Sequence, residues 1–146
     1  MRATAVQGSV ATMPARITVA RARAIFHEER ERFAAVYPRL ARATLVIVDA
    51  PCFDGGPCKP RDLARCYARD ADVQLLRRAL TSESRVRSLV RHELGHAADA
   101  RVREPGREQR ADDIAERVTG ERVYYDRDDV QTTRRGAYPR PRRLPR

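Results

Sequence analysis

Two histidines and a glutamate are the residues of this sequence best suited to chemistry. His92, Glu93 and His96 form the pattern H-E-x-x-H and include two of the 3 histidines in the chain. On an α-helix, residues four apart project from one face, so the two imidazoles can bind one tetrahedral metal ion. Glu93 then lies about 100° further round the helix, where its carboxylate can take a proton from a metal-activated water. The spacing therefore predicts a zinc site beside a general base.

A catalytic zinc site needs a third protein ligand and an open fourth position for water. Metzincins carry a third histidine six residues after the second one, but Val102 occupies that position here, which excludes that family. The remaining candidates are acids. Asp99 lies one turn after His96 and either binds the metal or braces the following loop. The next predicted helix offers four more acids, which are Glu108, Asp112, Asp113 and Glu116.

The segment that contains these acids resembles the glutamate helix of gluzincin metallopeptidases. Glu108-Gln-Arg-Ala111-Asp112, followed by Ile114-Ala115, is similar to the E-x-x-A-D segment of that clan, which includes the CAAX prenyl protease family and the minigluzincins. HELGHAAD, at 92–99, also resembles the zinc helix of anthrax lethal factor-like peptidases. The resemblance implies that Glu108 is the third zinc ligand and that Asp112 orients a ligand histidine.

The short connection between the two motifs keeps a second possibility open. Only eleven residues separate His96 from Glu108. If the two helices pack antiparallel, Asp112 lies roughly opposite His96 and Glu108 lies nearer to the loop. Asp112 is therefore the alternative third ligand. Two small residues on the Glu108 face, Ala111 and Ala115, would permit a close approach of the helices.

Hydrophobic spacing and turn residues predict the elements that must position these side chains. In chain order they are a helix at 19–37, a strand at 43–48, a loop at 52–60, a strand at 72–76, a helix from the N-cap oxygens at 81–84 to about 100, and a helix at 107–119. Pro38 ends the first helix and Gly120 the last. The apolar positions of the zinc helix are Val86, Leu89, Val90, Leu94 and Ala97.

These elements predict an α+β fold. We expect a small zincin-like domain with a short, mostly antiparallel sheet, a zinc-binding helix and a glutamate helix. The strand at 72–76 directly precedes the zinc helix, where similar peptidases have an edge strand that binds the substrate backbone. Tyr124, Tyr125 and Tyr138 are candidate donors to an oxyanion.

The charge of the chain is concentrated in its tail. The 146 residues carry a formal net charge of +10, and segment 134–146 contributes six arginines and no acid. Such an Arg/Pro-rich segment is predicted to be disordered and able to contact nucleic acid or an acidic partner. The expected organisation is a loose N-terminus at 1–16, a metallopeptidase domain at 17–130 and the tail at 131–146.

Composition also bears on location. No apolar run approaches the roughly 18 residues of a membrane helix, and the N-terminus lacks the apolar core of a secretory signal. We therefore expect a cytoplasmic protein with no membrane partner. Cys52, Cys58 and Cys66 match no zinc-ribbon spacing, so free thiols are expected, with one bridge as the alternative in an oxidising compartment.

Together these observations predict a zinc-dependent metallopeptidase that acts on a peptide or protein substrate. A zinc-activated water hydrolyses the peptide bond, with Glu93 as general base. One alternative is a nucleic-acid-associated basic protein whose metal is structural or regulatory, which requires a fourth protein ligand such as a cysteine. The other is a metallopeptidase that its basic tail localises to DNA.

Overall fold

The computed structural model of the protein describes residues 16–53, 58, 62–101 and 103–123. Within these residues the elements are α1 (Val19–Val36), β1 (Thr44–Val48), β2 (Ala64–Tyr67), β3 (Asp72–Leu76), α2 (Glu83–Ala98) and α3 (Arg107–Thr119). The expected α+β class is confirmed. The candidate tyrosines Tyr124, Tyr125 and Tyr138 and the tail at 131–146 lie outside the described residues. A contact of the tail with nucleic acid or an acidic partner therefore stays a prediction.

The ends of the two site helices follow from their capping residues. The Ser82 hydroxyl accepts a hydrogen bond from the backbone N–H of Arg85 at 3.1 Å and so begins α2. This helix ends at Asp99, close to the expected position. Gly120 ends α3 with a φ of 74°, a left-handed conformation that glycine adopts without strain. Both site helices therefore lie where the sequence predicts them.

The three strands form one mixed sheet in the order β1-β3-β2. β1 runs parallel to β3, with Thr44 opposite Asp72, and β2 runs antiparallel to β3, with Ala64 opposite Leu75. The expected mostly antiparallel sheet is thus only partly correct, because the long connection after β1 crosses the sheet before the chain returns in a hairpin. The expectation that 72–76 is an edge strand is wrong. β3 is central, and β2, which the sequence analysis missed, lies at the edge of the described sheet.

α2 lies at the centre of the fold, in contact with α1, α3, β2 and β3. Its predicted apolar positions are all buried, namely Val86, Leu89, Val90, Leu94 and Ala97. They share one core with Ile25, Phe26 and Phe33 of α1 and with Val73 and Leu75 of β3. Because neighbours hold it on several sides, α2 is a rigid support for the motif that it carries. No helix in the described ranges is long and apolar enough to cross a membrane.

A buried ion pair fixes the orientation of α2 beside the motif. Glu29 of α1 is fully buried and accepts hydrogen bonds from Arg91 Nε at 2.8 Å and Arg87 Nη1 at 2.6 Å. A buried carboxylate is tolerated only when it is paired and hydrogen-bonded, so these contacts resist rotation of α2 about its axis. Arg91 reaches α1, and the next residue, His92, faces α3.

Candidate metal centre

Three side chains from two helices converge on one point. His92 and His96 lie on successive turns of α2, and Glu108 lies in the first turn of α3. The two histidine Nε2 atoms are 3.0 Å apart. Glu108 Oε2 lies 2.9 Å from His92 Nε2, and Glu108 Oε1 lies 3.2 Å from His96 Nε2. One ligand atom from each residue lies within 4.8 Å of the other two, an arrangement that can hold a metal ion.

The separations suit a tetrahedral ion. Bonds of about 2.0 to 2.2 Å from zinc to nitrogen and oxygen place neighbouring ligand atoms about 3.3 Å apart at tetrahedral angles. The two Nε2 atoms lie 3.0 Å apart, and the two Glu108 oxygens lie 2.9 Å from His92 Nε2 and 3.2 Å from His96 Nε2, which is close to this value.

The hydrogen bonding of His92 decides which ring nitrogen carries the lone pair when the ring is neutral. His92 Nδ1 donates to Asp112 Oδ1 at 2.7 Å, so the neutral ring carries its lone pair on Nε2. That lone pair faces the Glu108 carboxylate at 2.9 Å. Two acceptors repel at this distance unless a positive charge lies on or between them. The group could therefore hold a cation, and Asp112 hydrogen-bonds His92, the contact that its predicted orienting role requires.

The surrounding carboxylates strengthen this preference for positive charge. Burial opposes protonation of His92, but hydrogen bonds with Asp112 and Glu108 outweigh burial and raise its pKa to about 10. Hydrogen bonds with His92 and His96 hold the pKa of Glu108 well below its usual range. A divalent cation satisfies the same acceptors. The donor set of two imidazoles and one carboxylate fits zinc and related first-row metals.

The contact between α2 and α3 decides which acid reaches the histidines. A Cβ atom on Gly95 would lie 2.8 Å from the carbonyl carbon of Ala111 and closer still to its oxygen. The missing side chain therefore lets α3 approach α2 more closely than any other residue would allow. In this register Glu108 contacts His96 and Asp112 contacts His92. The alternative in which Asp112 lies opposite His96 is not the one that the structure adopts.

Glu93 lies beside the group but outside it. Only 2 % of this residue is exposed. Burial raises the pKa of Glu93 to about 7, and the charge of Glu108 adds to the rise, while His92, His96 and Arg107 oppose it. A carboxyl group whose pKa lies near neutrality can both accept and return a proton. The general-base role of Glu93 stays a prediction, and it requires a group of this kind.

A cleft of about 170 Å³ gives access to the group. Its walls come from β2, α2 and α3, and the lining residues are Ala64, Arg65, Cys66, His92, Glu93, His96, Arg107 and Glu108. The strand beside the two histidines and Glu108 is therefore β2. The expected strand, β3, lies one position further into the sheet and takes no part in the lining.

Asp99 has a supporting role in the loop between the helices. It accepts a hydrogen bond from Arg110 Nε at 2.8 Å and another from the backbone N–H of Arg101 at 3.0 Å. Arg110 also donates to the carbonyl oxygens of Arg101 and Glu104. Asp99 is not a member of the ligand group. Of the roles that the sequence left open for it, the structure supports bracing of the loop.

The cysteines differ from the expectation of free thiols. Cys52 and Cys58 form a disulfide, and Cys66 is free. Their separation of only 6 residues allows the two sulfurs to meet within one loop. Burial raises the pKa of the Cys66 thiol to about 12, so this group is neutral at physiological pH. The one bridge that the sequence analysis named as the alternative is therefore present, and the cytoplasmic location stays a prediction.

Three features of the site escaped the sequence analysis. The strand β2 is only four residues long, with Ala64 buried, Arg65 and Cys66 half-buried and Tyr67 exposed, which is too brief a pattern to identify a strand. Gly95 carries no side chain, so its importance depends on a partner that sequence cannot locate. Arg107 lies at the cleft only because α3 begins there.

Comparisons of the chain with protein-family models, with curated proteins and with solved structures find no match.

Proposed function

We propose that this protein is a zinc-dependent metallopeptidase of the gluzincin type. His92, His96 and Glu108 would hold the ion, and Glu93 would be the general base. The observation that carries the proposal is the convergence of these three ligands beside a buried carboxyl group of near-neutral pKa. H-E-x-x-H alone predicts two ligands and a base, and the position of Glu108 on a separate helix supports it as the third ligand.

The ligand count favours a catalytic ion over a structural one. Structural zinc sites are closed by four protein ligands, whereas catalytic sites keep one position open for water. Within the described part of the chain, no fourth histidine, cysteine or acid completes the group. Cys66 lines the cleft without joining the group, so the alternative of a cysteine-closed structural site lacks support. The Glu108 side chain is 75 % exposed, which leaves that side of the site open to solvent.

The roles of the residues follow from their positions. Zinc, when bound, supplies Lewis acidity toward a water molecule and toward the carbonyl oxygen of the scissile bond. Asp112 keeps His92 in the tautomer whose Nε2 lone pair faces the ion. Glu93 accepts the proton of the attacking water and returns it to the amine that leaves, so no proton is lost or gained. The peptide would lie in the cleft alongside β2.

The proposal is tested by measuring bound zinc and peptide hydrolysis on the same preparations. His92→Ala and His96→Ala are expected to lose both. Glu93→Gln is expected to keep the zinc and lose hydrolysis, because an amide fills the same space without accepting a proton. His27→Ala is the matched control, since this exposed histidine of α1 lies outside the group.

Two results would contradict the proposal. If His92→Ala and His96→Ala both kept their full zinc content, the metal centre would be assigned to the wrong residues. If Glu93→Gln hydrolysed peptides at the wild-type rate, Glu93 would not be the general base, even with the metal centre intact.

A further inference from the structure

We infer that Arg107 binds a carboxylate group of the substrate close to the scissile bond. This inference rests on the proposed peptidase function and names the substrate class of the same cleft. Arg107 opens α3 and directly precedes the ligand Glu108. Its side chain is exposed, and it lines the cleft together with Glu93 and Cys66. The positive charge of Arg107 is near enough to lower the pKa of both groups.

The guanidinium of Arg107 forms no ion pair or hydrogen bond within the described residues. Other arginines of this part of the fold are engaged. Arg91 binds Glu29, and Arg110 binds Asp99. An arginine that forms no such contact beside a cleft has all its guanidinium N–H groups free to bind an anion. The planar guanidinium also matches a carboxylate through two parallel hydrogen bonds.

The second arginine of the cleft lining, Arg65, has its guanidinium in contact with residues outside the cleft. Arg65 Nε donates to Gln74 at 2.8 Å, and its guanidinium lies over the rings of Phe53 at 4.6 Å and Tyr67 at 4.9 Å. Gln74 and Tyr67 lie on the sheet face opposite to Cys66, because successive residues of a strand alternate between faces. Arg65 therefore borders the cleft through its backbone, and Arg107 is the cation that faces the substrate.

The position of Arg107 in the helix adds to its attraction for an anion. Arg107 lies in the first turn of α3, whose N-cap, Gly106, provides no side-chain hydrogen bond. The free backbone N–H groups of this turn carry a partial positive charge. A carboxylate of the substrate would therefore be attracted by both the helix end and the guanidinium.

A carboxylate near the scissile bond has two sources, an acidic side chain or the C-terminus of the peptide. The test uses the zinc-loaded full chain and one set of fluorogenic peptides. The set compares Glu with Gln at each position beside the cleaved bond, and a free C-terminus with a C-terminal amide. Arg107→Gln removes the positive charge, and Arg107→Lys keeps the charge but removes the planar guanidinium that donates two parallel hydrogen bonds. Arg103→Gln is the control, because this exposed arginine lies four residues earlier and outside the cleft lining.

We expect the wild type to favour the acidic peptides by about two- to fivefold in kcat/KM, the range of an exposed ion pair. The preference should disappear in Arg107→Gln, weaken in Arg107→Lys, remain in Arg103→Gln and shrink at 1 M salt. Preference for Glu over Gln identifies a side chain as the source, and preference for the free acid over the amide identifies the C-terminus. Equal rates for both members of each pair, or a preference that survives in Arg107→Gln, would overturn the inference.

Binding of the same peptides to Glu93→Gln by isothermal titration calorimetry gives a readout without turnover. If the wild type hydrolyses none of the peptides, the proposed function fails, but the binding arm still decides the role of Arg107. Tighter binding of acidic peptides that Arg107→Gln abolishes in this background would support the inference. Equal binding of acidic and neutral peptides would reject it.

Discussion

Replacement of Gly95 by alanine should separate the two site helices. In an unobstructed helix this change adds about 1 kcal/mol of stability, because alanine has the higher helix propensity. Here the new Cβ would lie 2.8 Å from the Ala111 carbonyl carbon, whereas ordinary contacts are 3.4 Å or more. The obstacle is backbone, so no side-chain rotation relieves it. α3 must move outward by at least about 0.6 Å, a displacement at which ligand geometry is lost.

The expected magnitudes follow from this displacement. Overpacking in a core costs about 1 to 3 kcal/mol, so the sign of the stability change is reversed relative to that of a free helix. Glu108 moves with α3, while His92 and His96 stay with α2. The zinc affinity should therefore fall by more than about 100-fold, as for loss of a ligand rather than of a supporting residue.

Two measurements check this prediction on the same variant. Urea unfolding of the metal-free protein gives the stability change, and competition with a chelator gives the zinc affinity. Ser88→Ala is the control, because it also improves the helix propensity of α2 and lines no part of the metal cleft. If Gly95→Ala were as stable as Ser88→Ala and bound zinc as tightly as the wild type, the close approach would not be what positions Glu108.

The remaining predictions concern the three acids around the site. Glu108→Ala should leave a two-histidine site that loses zinc to a mild chelator, whereas Asp112→Ala should weaken zinc binding by about 10- to 100-fold; the reverse order would reassign the third ligand to Asp112. Burial raises the pKa of Asp99, but the backbone N–H of Arg101 and the Arg110 guanidinium outweigh burial and hold it below its usual value. A depressed pKa stabilises the fold above the unfolded-state value of about 3.9, and this contribution is lost as pH falls through the folded-state pKa. Asp99→Asn should therefore cost about 1 to 3 kcal/mol at pH 7 and progressively less in acid, as measured by unfolding at each pH.

The helices were predictable because their signals are local. A serine cap, five apolar positions at helical spacing and a terminal glycine fix α2 and α3 without reference to the rest of the chain. The motif residues then follow, since a helix places His92 and His96 on one face wherever it packs. The class of fold was equally accessible, because the elements alone define it.

The sheet and the grouping of His92, His96 and Glu108 depend on contacts between distant segments. The parallel pairing of β1 with β3 is set by a crossing connection that leaves no periodic trace in the sequence. The contact of Glu108, rather than Asp112, with His96 depends on the register of two helices, which Gly95 and Ala111 determine through backbone contact. The pairing of Cys52 with Cys58 depends on the path of a loop that spacing alone did not specify.

The proposed ligands are divided unequally between two helices, the central α2 and the more peripheral α3. α2 contributes His92 and His96 from the middle of the core, while α3 contributes only Glu108 and follows a separate turn of the chain. A bound ion would thus be a reversible cross-link that closes a short ring of residues through that turn. Because the ring is short, closing it costs little conformational entropy. The two helices should then exchange their amide hydrogens on different timescales. Those of α2 are protected by the core whether or not metal is present, and those of α3 become protected to the same degree only when the ion holds it in place.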